Sequence, residues 1–252
     1  MFYNTYAIVL DSIDYGESDR IVKFYTIDYG KISGIAKGAK RSKKRFVNSL
    51  EPFSHVKLIF AQKPNAGLAR VDQCELINGF HSIKKNIEII AAASYFVELL
   101  SEMVREGQKN QKVFDLVLKF LKHLNDGKEP DTLTRFFEIR LLSMLGYLPH
   151  LDKCVVCKKL PDEDLKIYFS SAKGGVVCQS CITSAEPRVS ISLGTAKSLS
   201  LAANASMEGL NRLILSSHAK KEGALVLEDF IKYQLGKELK SKKFMEKIKC
   251  EM

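Results

Sequence analysis

Four cysteines, grouped in two pairs, constrain the fold of this chain more than any other feature. Cys154 and Cys157 form one C-x2-C pair, and Cys178 and Cys181 form a second pair further along. This spacing is typical of a zinc ribbon, in which each pair makes a tight turn and the four thiolates bind one Zn²⁺ ion tetrahedrally. Four protein ligands leave no position open for water or substrate. The predicted zinc ion is therefore structural, and its binding supplies folding energy.

Other interpretations of the cysteines are weaker. No secretory signal precedes them, and adjacent C-x2-C pairs are more typical of metal or redox sites than of two disulfides or a chance cluster. No βαβ pattern surrounds either pair, which argues against a thioredoxin-like redox site. His150 can also bind zinc, but the four cysteines already complete the ligand set. One departure from the usual pattern is Lys158, which follows Cys157 where a glycine commonly ends such a turn.

Length and charge limit the classes of protein to which this chain can belong. The chain has 252 residues and a formal net charge of +10, which predicts one large or two modest domains and an acidic partner. Nucleic acid is the first candidate and an anionic membrane surface the second. The longest apolar stretch, 89–100, is too short and mixed to span a bilayer, and the N-terminal residues do not read as a signal peptide. We therefore expect a cytoplasmic protein without a membrane segment.

The first eighty residues read as short strands separated by turns. The predicted strands cover 6–10, 20–25, 31–36, 55–60 and 68–76. Five short strands in this length predict a small closed barrel such as an OB-fold, although an SH3-like barrel gives a similar pattern.

The loop after the third predicted strand concentrates positive charge. It carries six cations and no anion: Lys37, Lys40, Arg41, Lys43, Lys44 and Arg45. The alternative is a solvated loop that only aids solubility, but mutual repulsion among the cations is unfavourable without a bound anion. Gly38 also lets the backbone approach a phosphate closely. We predict that the loop binds DNA phosphates, with five nearby aromatic residues as candidates for base stacking: Tyr15, Phe24, Tyr25, Tyr29 and Phe46.

Beyond residue 80, apolar residues recur at helical spacing. Ser82 is the predicted N-cap of the first helix, and further helices follow on both sides of the cysteines. The lysine-rich segment 232–249 is expected to be a solvated helical face. The alternative, if it lies near the basic loop, is that it extends the phosphate-binding surface. The predicted fold is α+β, mainly α. It has an OB-fold domain at 1–80 and a helical domain at 81–252, into which a four-cysteine zinc ribbon is inserted at about 150–185.

Several ordered motifs carry a resemblance to a known family. They are Asp14-Tyr-Gly-Glu-Ser-Asp-Arg-Ile-Val-Lys-Phe-Tyr-Thr26, Tyr29-Gly-Lys31, Ile35-Ala-Lys-Gly-Ala-Lys-Arg41, Leu50-Glu-Pro-Phe53, Arg135-Phe-Phe-Glu-Ile-Arg-Leu-Leu142 and Leu145-Gly-Tyr-Leu-Pro149. In this order they resemble RecO, the bacterial family of recombination mediators. The resemblance covers most of the chain and is densest at 14–53 and 133–181.

The resemblance implies a fold and a function. Members have an N-terminal OB-fold, a helical middle and, in many cases, a four-cysteine zinc module. The implied role is DNA repair and recombination: binding single- and double-stranded DNA, annealing complementary strands, and loading RecA on strands coated by single-strand-binding protein (SSB). RecR and the SSB C-terminal tail are the implied partners, at the nucleoid. For the acidic, apolar SSB tail we expect a groove between helices flanked by Arg135 or Arg140. The alternative is that either arginine only pairs with a nearby acid.

No catalytic motif accompanies these features. The chain has no G-x-x-x-x-G-K-[ST] loop, no H-E-x-x-H and no nucleophile elbow. A metal-dependent nuclease would need clustered carboxylates, whereas acids such as Glu163 and Asp164 are expected to face solvent on the ribbon connection. We therefore expect a protein that is not an enzyme. Two alternatives are a zinc-ribbon nucleic-acid adaptor of transcription or translation without annealing activity, and an interaction module whose charge is incidental.

Overall fold

The structure of the chain is a computed structural model that describes residues 1–62, 67–160, 166–183 and 187–251. Glu163 and Asp164, the expected solvent-facing acids, lie outside these residues. Two compact units are present. The first comprises Met1–Lys128 together with Leu239–Met252, and the second comprises Glu129–Glu238. No helix in the described ranges combines the length and the apolarity that crossing a membrane requires.

The described residues form both strands and helices. The strands are β1 (Phe2–Tyr15), β2 (Asp19–Thr26), β3 (Gly30–Ala36), β4 (His55–Ala61), β5 (Ala69–Asn78), β6 (Ile167–Ser170), β7 (Gly175–Cys178) and β8 (Val189–Ile191). The helices are α1 (Ile87–Met103), α2 (Gln111–Asn125), α3 (Pro130–Leu145), α4 (Leu193–Asn204), α5 (Met207–Arg212), α6 (Ser217–Leu235) and α7 (Lys240–Glu251). The fold is α+β, and the description as mainly helical fits it only loosely.

The first five strands close into a barrel in the order β1-β2-β3-β5-β4. All neighbouring pairs are antiparallel except β3 and β5, which run parallel. This five-stranded closed barrel is the predicted OB-fold. Alternate residues of each strand fill its interior, including Val22 and Phe24 of β2, and their neighbours Ile21 and Lys23 face outward.

Three helices complete the first unit. Asn86, and not the predicted Ser82, caps α1, because Ile83–Lys85 form a separate 3-10 turn and the Asn86 side chain accepts the N–H groups of Glu88 and Ile89. The C-terminal helix α7 packs on α1. At its start, the Glu98 carboxylate of α1 accepts the backbone N–H groups of 240 and 241, at 3.0 and 2.7 Å.

The second unit combines helices α3, α4 and α6 with the three-stranded sheet β7-β6-β8. The sheet belongs to the cysteine-containing insertion and is attached to α6. The rings of Phe169 of β6 and Phe230 pack at right angles with their centres 5.7 Å apart, and the Ser171 hydroxyl donates to the Asp229 carboxylate at 2.5 Å. The insertion is therefore part of the core of its unit.

The compact units divide the chain at different places from the expected domains. A change from strands to helices does occur near residue 80, as the sequence pattern predicts. However, α1, α2 and α7 belong to the same unit as the barrel, so the units separate after residue 128 and again after residue 238.

Candidate metal centre and nucleic-acid interface

The four predicted metal ligands converge. The Sγ atoms of Cys154, Cys157, Cys178 and Cys181 all lie within 4.8 Å of one another. A metal ion bonded tetrahedrally to four sulfurs at about 2.3 Å requires sulfur–sulfur separations of about 3.8 Å. The Sγ atoms of Cys157 and Cys178 are 3.8 Å apart. The geometry therefore fits one tetrahedral metal ion.

Short backbone contacts hold the two cysteine turns together. The N–H of Lys158 donates to the Cys154 carbonyl at 2.9 Å, which closes the first turn, and the N–H of Val155 donates to the Val176 carbonyl at 2.9 Å. His150, the other residue that the sequence offers as a ligand, instead pairs with β7 through its backbone. It is not among the clustered ligand atoms of the described residues.

The electrostatics of the cluster favour a bound cation. Burial disfavours the Cys154 thiolate, but the N–H groups of residues 157, 178 and 156 point at its sulfur and lower the pKa of Cys154 to about 6. The hydrogen bond to the Cys178 sulfur raises the pKa of Cys181 to about 12. Four negative sulfurs cannot coexist at this distance without a positive charge among them. A metal ion removes the conflict and allows all four to be thiolates.

The basic loop lies between β3 and β4, against the turn that joins β1 to β2. The Lys40 backbone N–H donates to the Ser18 carbonyl at 3.0 Å, and the Gly38 N–H donates to the Asp19 carboxylate at 2.8 Å. Gly38 has φ +67°, the left-handed conformation that glycine adopts most easily. Its N–H is thus bound to a carboxylate of the barrel, at the position where the sequence predicts a close approach of the backbone to phosphate.

Arg45 closes the base of the loop. Its guanidinium donates to the Lys37 carbonyl at 2.9 Å and lies 4.8 Å from the centre of the Phe46 ring. Its own carbonyl accepts the N–H of Cys74 on β5 at 2.9 Å. Arg45 therefore holds the loop in shape, in addition to being one of its six exposed cations.

Two of the loop cations already face carboxylates. The Lys40 Nζ lies 2.9 Å from the Asp14 carboxylate, and this hydrogen bond lowers the pKa of Asp14. Arg41 lies 3.7 Å from Glu17, and both side chains are well exposed. Sequence reasoning did not pair these acids with the loop, although their clustering around the turn between β1 and β2 was a usable signal.

The aromatic candidates for base stacking separate into two groups. Phe24, Tyr25 and Phe46 are buried, with at most 5% of their surface exposed. Tyr15 is 54% exposed and lies at the end of β1 beside the turn that contacts the loop, and Tyr29 is 36% exposed. Only Tyr15 and Tyr29 of the five candidates can therefore meet a base without a change in the barrel.

Part of the outer face of β2 and β3 is covered by the connection between α1 and α2. The Lys31 Nζ donates to the Ser101 carbonyl at 2.6 Å, and the Gly107 N–H donates to the Lys31 carbonyl at 2.9 Å. The Tyr25 hydroxyl donates to the Asn110 carbonyl at 3.4 Å. The open part of this face is consequently the part nearest the basic loop.

Both arginines expected beside a peptide groove bind groups within the second unit. Arg135 is only 4% exposed, and its guanidinium lies 3.1 Å from both Glu138 and Glu228. Arg140 is half-buried and donates to the carbonyls of 203 and 205 at the end of α4, and burial lowers its pKa. Arg135 is thus a core residue whose neighbours supply two carboxylates.

Comparison with known proteins covers nearly the whole chain. The family model described as Recombination protein O N terminal matches residues 1–80, and the one described as Recombination protein O C terminal matches residues 84–243. The DNA repair protein RecO of Syntrophus aciditrophicus is 40% identical, over 98% of this chain and 96% of the relative. The proteins of the same name from Caldanaerobacter subterraneus and Halalkalibacterium halodurans are 35% and 30% identical. They share 98% of this chain, and 98% and 96% of their own lengths.

Proposed function

This chain belongs to the RecO family of DNA repair proteins, and we propose that it is a recombination mediator that anneals complementary DNA strands. In this proposal it also helps RecA to load onto single strands coated by SSB. It does so by binding, without catalysing a covalent step. The exposed basic loop at one end of the OB barrel is the observation that carries the proposal.

Lys43 and Lys44 are the central residues of the proposed DNA site. Both are exposed, and no carboxylate in the described part of the chain forms an ion pair with either. Lys40 and Arg41, in contrast, must exchange a carboxylate for a phosphate when DNA binds. We therefore assign the largest gain in phosphate binding to Lys43 and Lys44.

Annealing follows from neutralising phosphate charge. Two complementary strands repel each other until a basic surface holds both, and base pairing then supplies the free energy without nucleotide hydrolysis. The loop backbone is fixed to the barrel by the contacts of Gly38, Lys40 and Arg45 before DNA arrives. Binding therefore costs less backbone entropy than it would in a flexible loop.

We propose that Zn²⁺ is the metal held by Cys154, Cys157, Cys178 and Cys181. Four thiolates in a tetrahedral arrangement suit Zn²⁺ and leave no open coordination position. When bound, the ion ties the two cysteine turns together and takes no part in a reaction. The chain itself positions the sulfurs through the backbone bonds of Val155, Lys158 and Val176.

RecR, the SSB C-terminal tail and, functionally, RecA are the proposed partners, in the cytoplasm at the nucleoid. Of the two arginines, we propose only Arg140 as a residue that flanks the peptide groove, because Arg135 is paired with internal carboxylates. Titration of a labelled SSB-tail peptide into wild type and Arg140→Glu tests it, since glutamate reverses the charge. Equal affinities for the two proteins, with both folded, would remove Arg140 from the peptide site.

An annealing assay tests the main proposal. Two complementary labelled oligonucleotides are mixed without ATP across a salt series, with wild type, Lys43→Ala/Lys44→Ala, or Lys84→Ala/Lys85→Ala. The last pair is a matched control, because Lys84 and Lys85 are also consecutive and exposed in the same unit. We expect fast annealing by wild type and the control, and slow annealing by the loop variant. Its affinity for single strands should also depend less on salt, by about 0.7 in log–log slope for each phosphate that the variant no longer binds.

Each other result has a distinct meaning. Equal annealing by the loop variant and the control would move the DNA site away from the loop. Wild type that binds both strands but does not speed their pairing would favour the nucleic-acid adaptor. A flat salt dependence of wild-type binding would reject phosphate neutralisation as the mechanism.

A further inference from the structure

A row of outward-facing residues circles the barrel in register. Ile13 of β1 pairs with Ile21 of β2, which pairs with Ile35 of β3, and Ile35 pairs with Arg70 of β5. The register continues from Arg70 through Ala61 of β4 and returns to β1 at Phe2. Paired residues in neighbouring strands point to the same side of the sheet, so all members of this row face outward.

The row is unusually apolar for an outer barrel surface. Its two members on β1 are among the exposed large apolar residues, with Phe2 58% and Ile13 54% exposed. Ile21 and Ile35 are partly exposed between them. The Arg70 guanidinium lies over the Phe2 ring, 5.8 Å from its centre, which places a cation against one face of an exposed aromatic side chain. Outward strand positions of a solvated barrel are ordinarily polar, so an exposed apolar row indicates a binding surface.

Charge and position connect the row to the basic loop. Ile35 is followed two residues later by Lys37, the first cation of the loop, and Ile13 is two residues before Tyr15. Outward carboxylates next to the row already face cations. Asp11 lies 3.9 Å from Lys23, and Asp72 lies 3.6 Å from Arg70. The end of α1 and its connection to α2 contact the barrel at Lys31 and Tyr25, each four residues along its strand from the row members Ile35 and Ile21.

We propose that this row, Ile13, Ile21, Ile35, Arg70 and Phe2, contacts the bases of single-stranded DNA while the basic loop holds its phosphates. The inference rests on the proposed DNA-binding function and adds the base-contacting surface. Five steps between neighbouring strands lead from Ile13 to Phe2. At the usual spacing of strands this path is about 24 Å long, which accommodates several nucleotides. Aliphatic side chains and one aromatic ring beside a cation do not distinguish one base from another. The site therefore tolerates any sequence but requires unpaired bases.

Comparison of a normal with an abasic oligonucleotide isolates the base contacts. Fluorescence anisotropy measures binding of labelled oligothymidylate of about 20 nucleotides, longer than the site of one OB-fold. The abasic oligonucleotide has the same length and the same phosphates. The proteins are wild type, Ile13→Ser, Phe2→Ala and Lys43→Ala/Lys44→Ala, with Ile77→Ser as matched control. Ile77 is also an isoleucine of the barrel and is 47% exposed, but it lies outside the row. Circular dichroism establishes that each variant is folded.

The two hypotheses fail in different ways. Wild type and Ile77→Ser should bind oligothymidylate about tenfold more tightly than the abasic strand, and Ile13→Ser and Phe2→Ala should reduce this ratio to about twofold. Lys43→Ala/Lys44→Ala should weaken binding of both oligonucleotides and leave the ratio unchanged. A wild-type ratio near one, or a ratio that the row variants preserve, would overturn the base-contact proposal and leave the row to a protein partner. Unchanged binding by the loop variant would instead overturn the phosphate site.

Discussion

At the scale of single residues, Lys158 shows how a rare backbone conformation can be found from sequence. It stands where a glycine commonly ends a cysteine turn, and it has φ +62°, in the left-handed region. A side chain in this region costs about 1 kcal/mol or more relative to glycine. The neighbouring bond from the Lys158 N–H to the Cys154 carbonyl, at 2.9 Å, holds the residue in this conformation.

We expect Lys158→Gly to stabilise the metal-loaded protein slightly and Lys158→Val to destabilise it. Glycine relieves the strain but also gives the unfolded chain more freedom, so the net gain in the free energy of unfolding is about 0.5 kcal/mol. Valine branches at Cβ and should cost about 1 kcal/mol or more. Denaturant unfolding of the zinc-loaded proteins measures both changes.

Lys159 provides the matched control, because it is exposed and adjacent but has no positive φ. At this position glycine should be the less stable substitution and valine nearly neutral. The same order of glycine and valine at both positions would contradict the strain that we assign to Lys158.

Asp14 is expected to compete with DNA for the basic loop. Its carboxylate lies 2.9 Å from the Lys40 Nζ, so a phosphate that binds Lys40 must displace it. Asp14→Asn should therefore raise the affinity for single strands about twofold to threefold at physiological salt. Glu75→Gln makes the same charge change at an exposed position on β5, and distant exposed charges are largely screened at this ionic strength. If both variants bound DNA more tightly, the change in net charge alone would explain the effect. Weaker binding by Asp14→Asn would mean that Asp14 positions Lys40 for DNA.

At the scale of strands and helices, patterns among neighbouring residues were sufficient to predict part of the fold. Strand alternation and cysteine spacing are set by neighbouring residues, and they predict the barrel and the converging ligands correctly. Contacts between distant elements were not predictable in this way. The segment expected to be a solvated helical face contains α7. Its Lys243 and Lys247 are exposed, but Met245 and Ile248 on its other side are buried, and Glu98 of α1 binds its first turn. Arg135 is likewise buried because Glu228, far along the chain, pairs with it.

Gly30, at the start of β3, lies tightly against the connection between α1 and α2. A Cβ atom there would lie 2.4 Å from the backbone carbon of Gln108 and 2.7 Å from the nitrogen of Lys109, and Gly30 has φ +67°. Gly16, in the turn between β1 and β2, has φ +58° but nothing within 4 Å of a Cβ atom. The two glycines therefore share one backbone requirement and differ in the space around them.

We expect Gly30→Ala to lower the free energy of unfolding by about 3 kcal/mol or more, and Gly16→Ala by about 1 kcal/mol. Both substitutions force a side chain into the left-handed conformation, and only Gly30→Ala also forces backbone against backbone. Thermal or denaturant unfolding of the two variants measures the difference. Similar losses of stability in the two variants would show that the backbone at 108–109 moves easily to make room for a side chain at residue 30. The connection would then not fix the covered face of the barrel.

At the scale of the whole molecule, the order of the chain and the compact units do not coincide. The chain leaves the first unit after residue 128 and returns to it at residue 239, where α7 packs on α1. The two family models meet between residues 80 and 84, where strands give way to helices. A fragment that ends at residue 80 would thus lack the helices that cover Lys31 and Tyr25. Tests of DNA binding should therefore use the full chain.

Metal removal should act on one unit more than on the other. The cysteine turns are joined to α6 through β6, by the Phe169–Phe230 contact and the Ser171–Asp229 hydrogen bond, and all of these residues belong to the second unit. Loss of the ion leaves four crowded sulfurs, of which several must take up protons, and removes the link between the two turns. The barrel and the basic loop have their own core in the first unit.

We therefore expect chelation of zinc, or Cys178→Ser, to unfold the second unit at lower temperature while the barrel keeps its fold and its affinity for single strands. Hydrogen exchange resolved by peptide checks this. Amides of 167–178 and of α6 should lose protection, and amides of β1–β5 should keep it, because their hydrogen bonds close within the barrel. Oligothymidylate binding, measured on the same samples, should change little. Simultaneous loss of protection in the barrel and of DNA binding would mean that the two units unfold as one cooperative structure, in which the ion stabilises the DNA site as well as the ribbon.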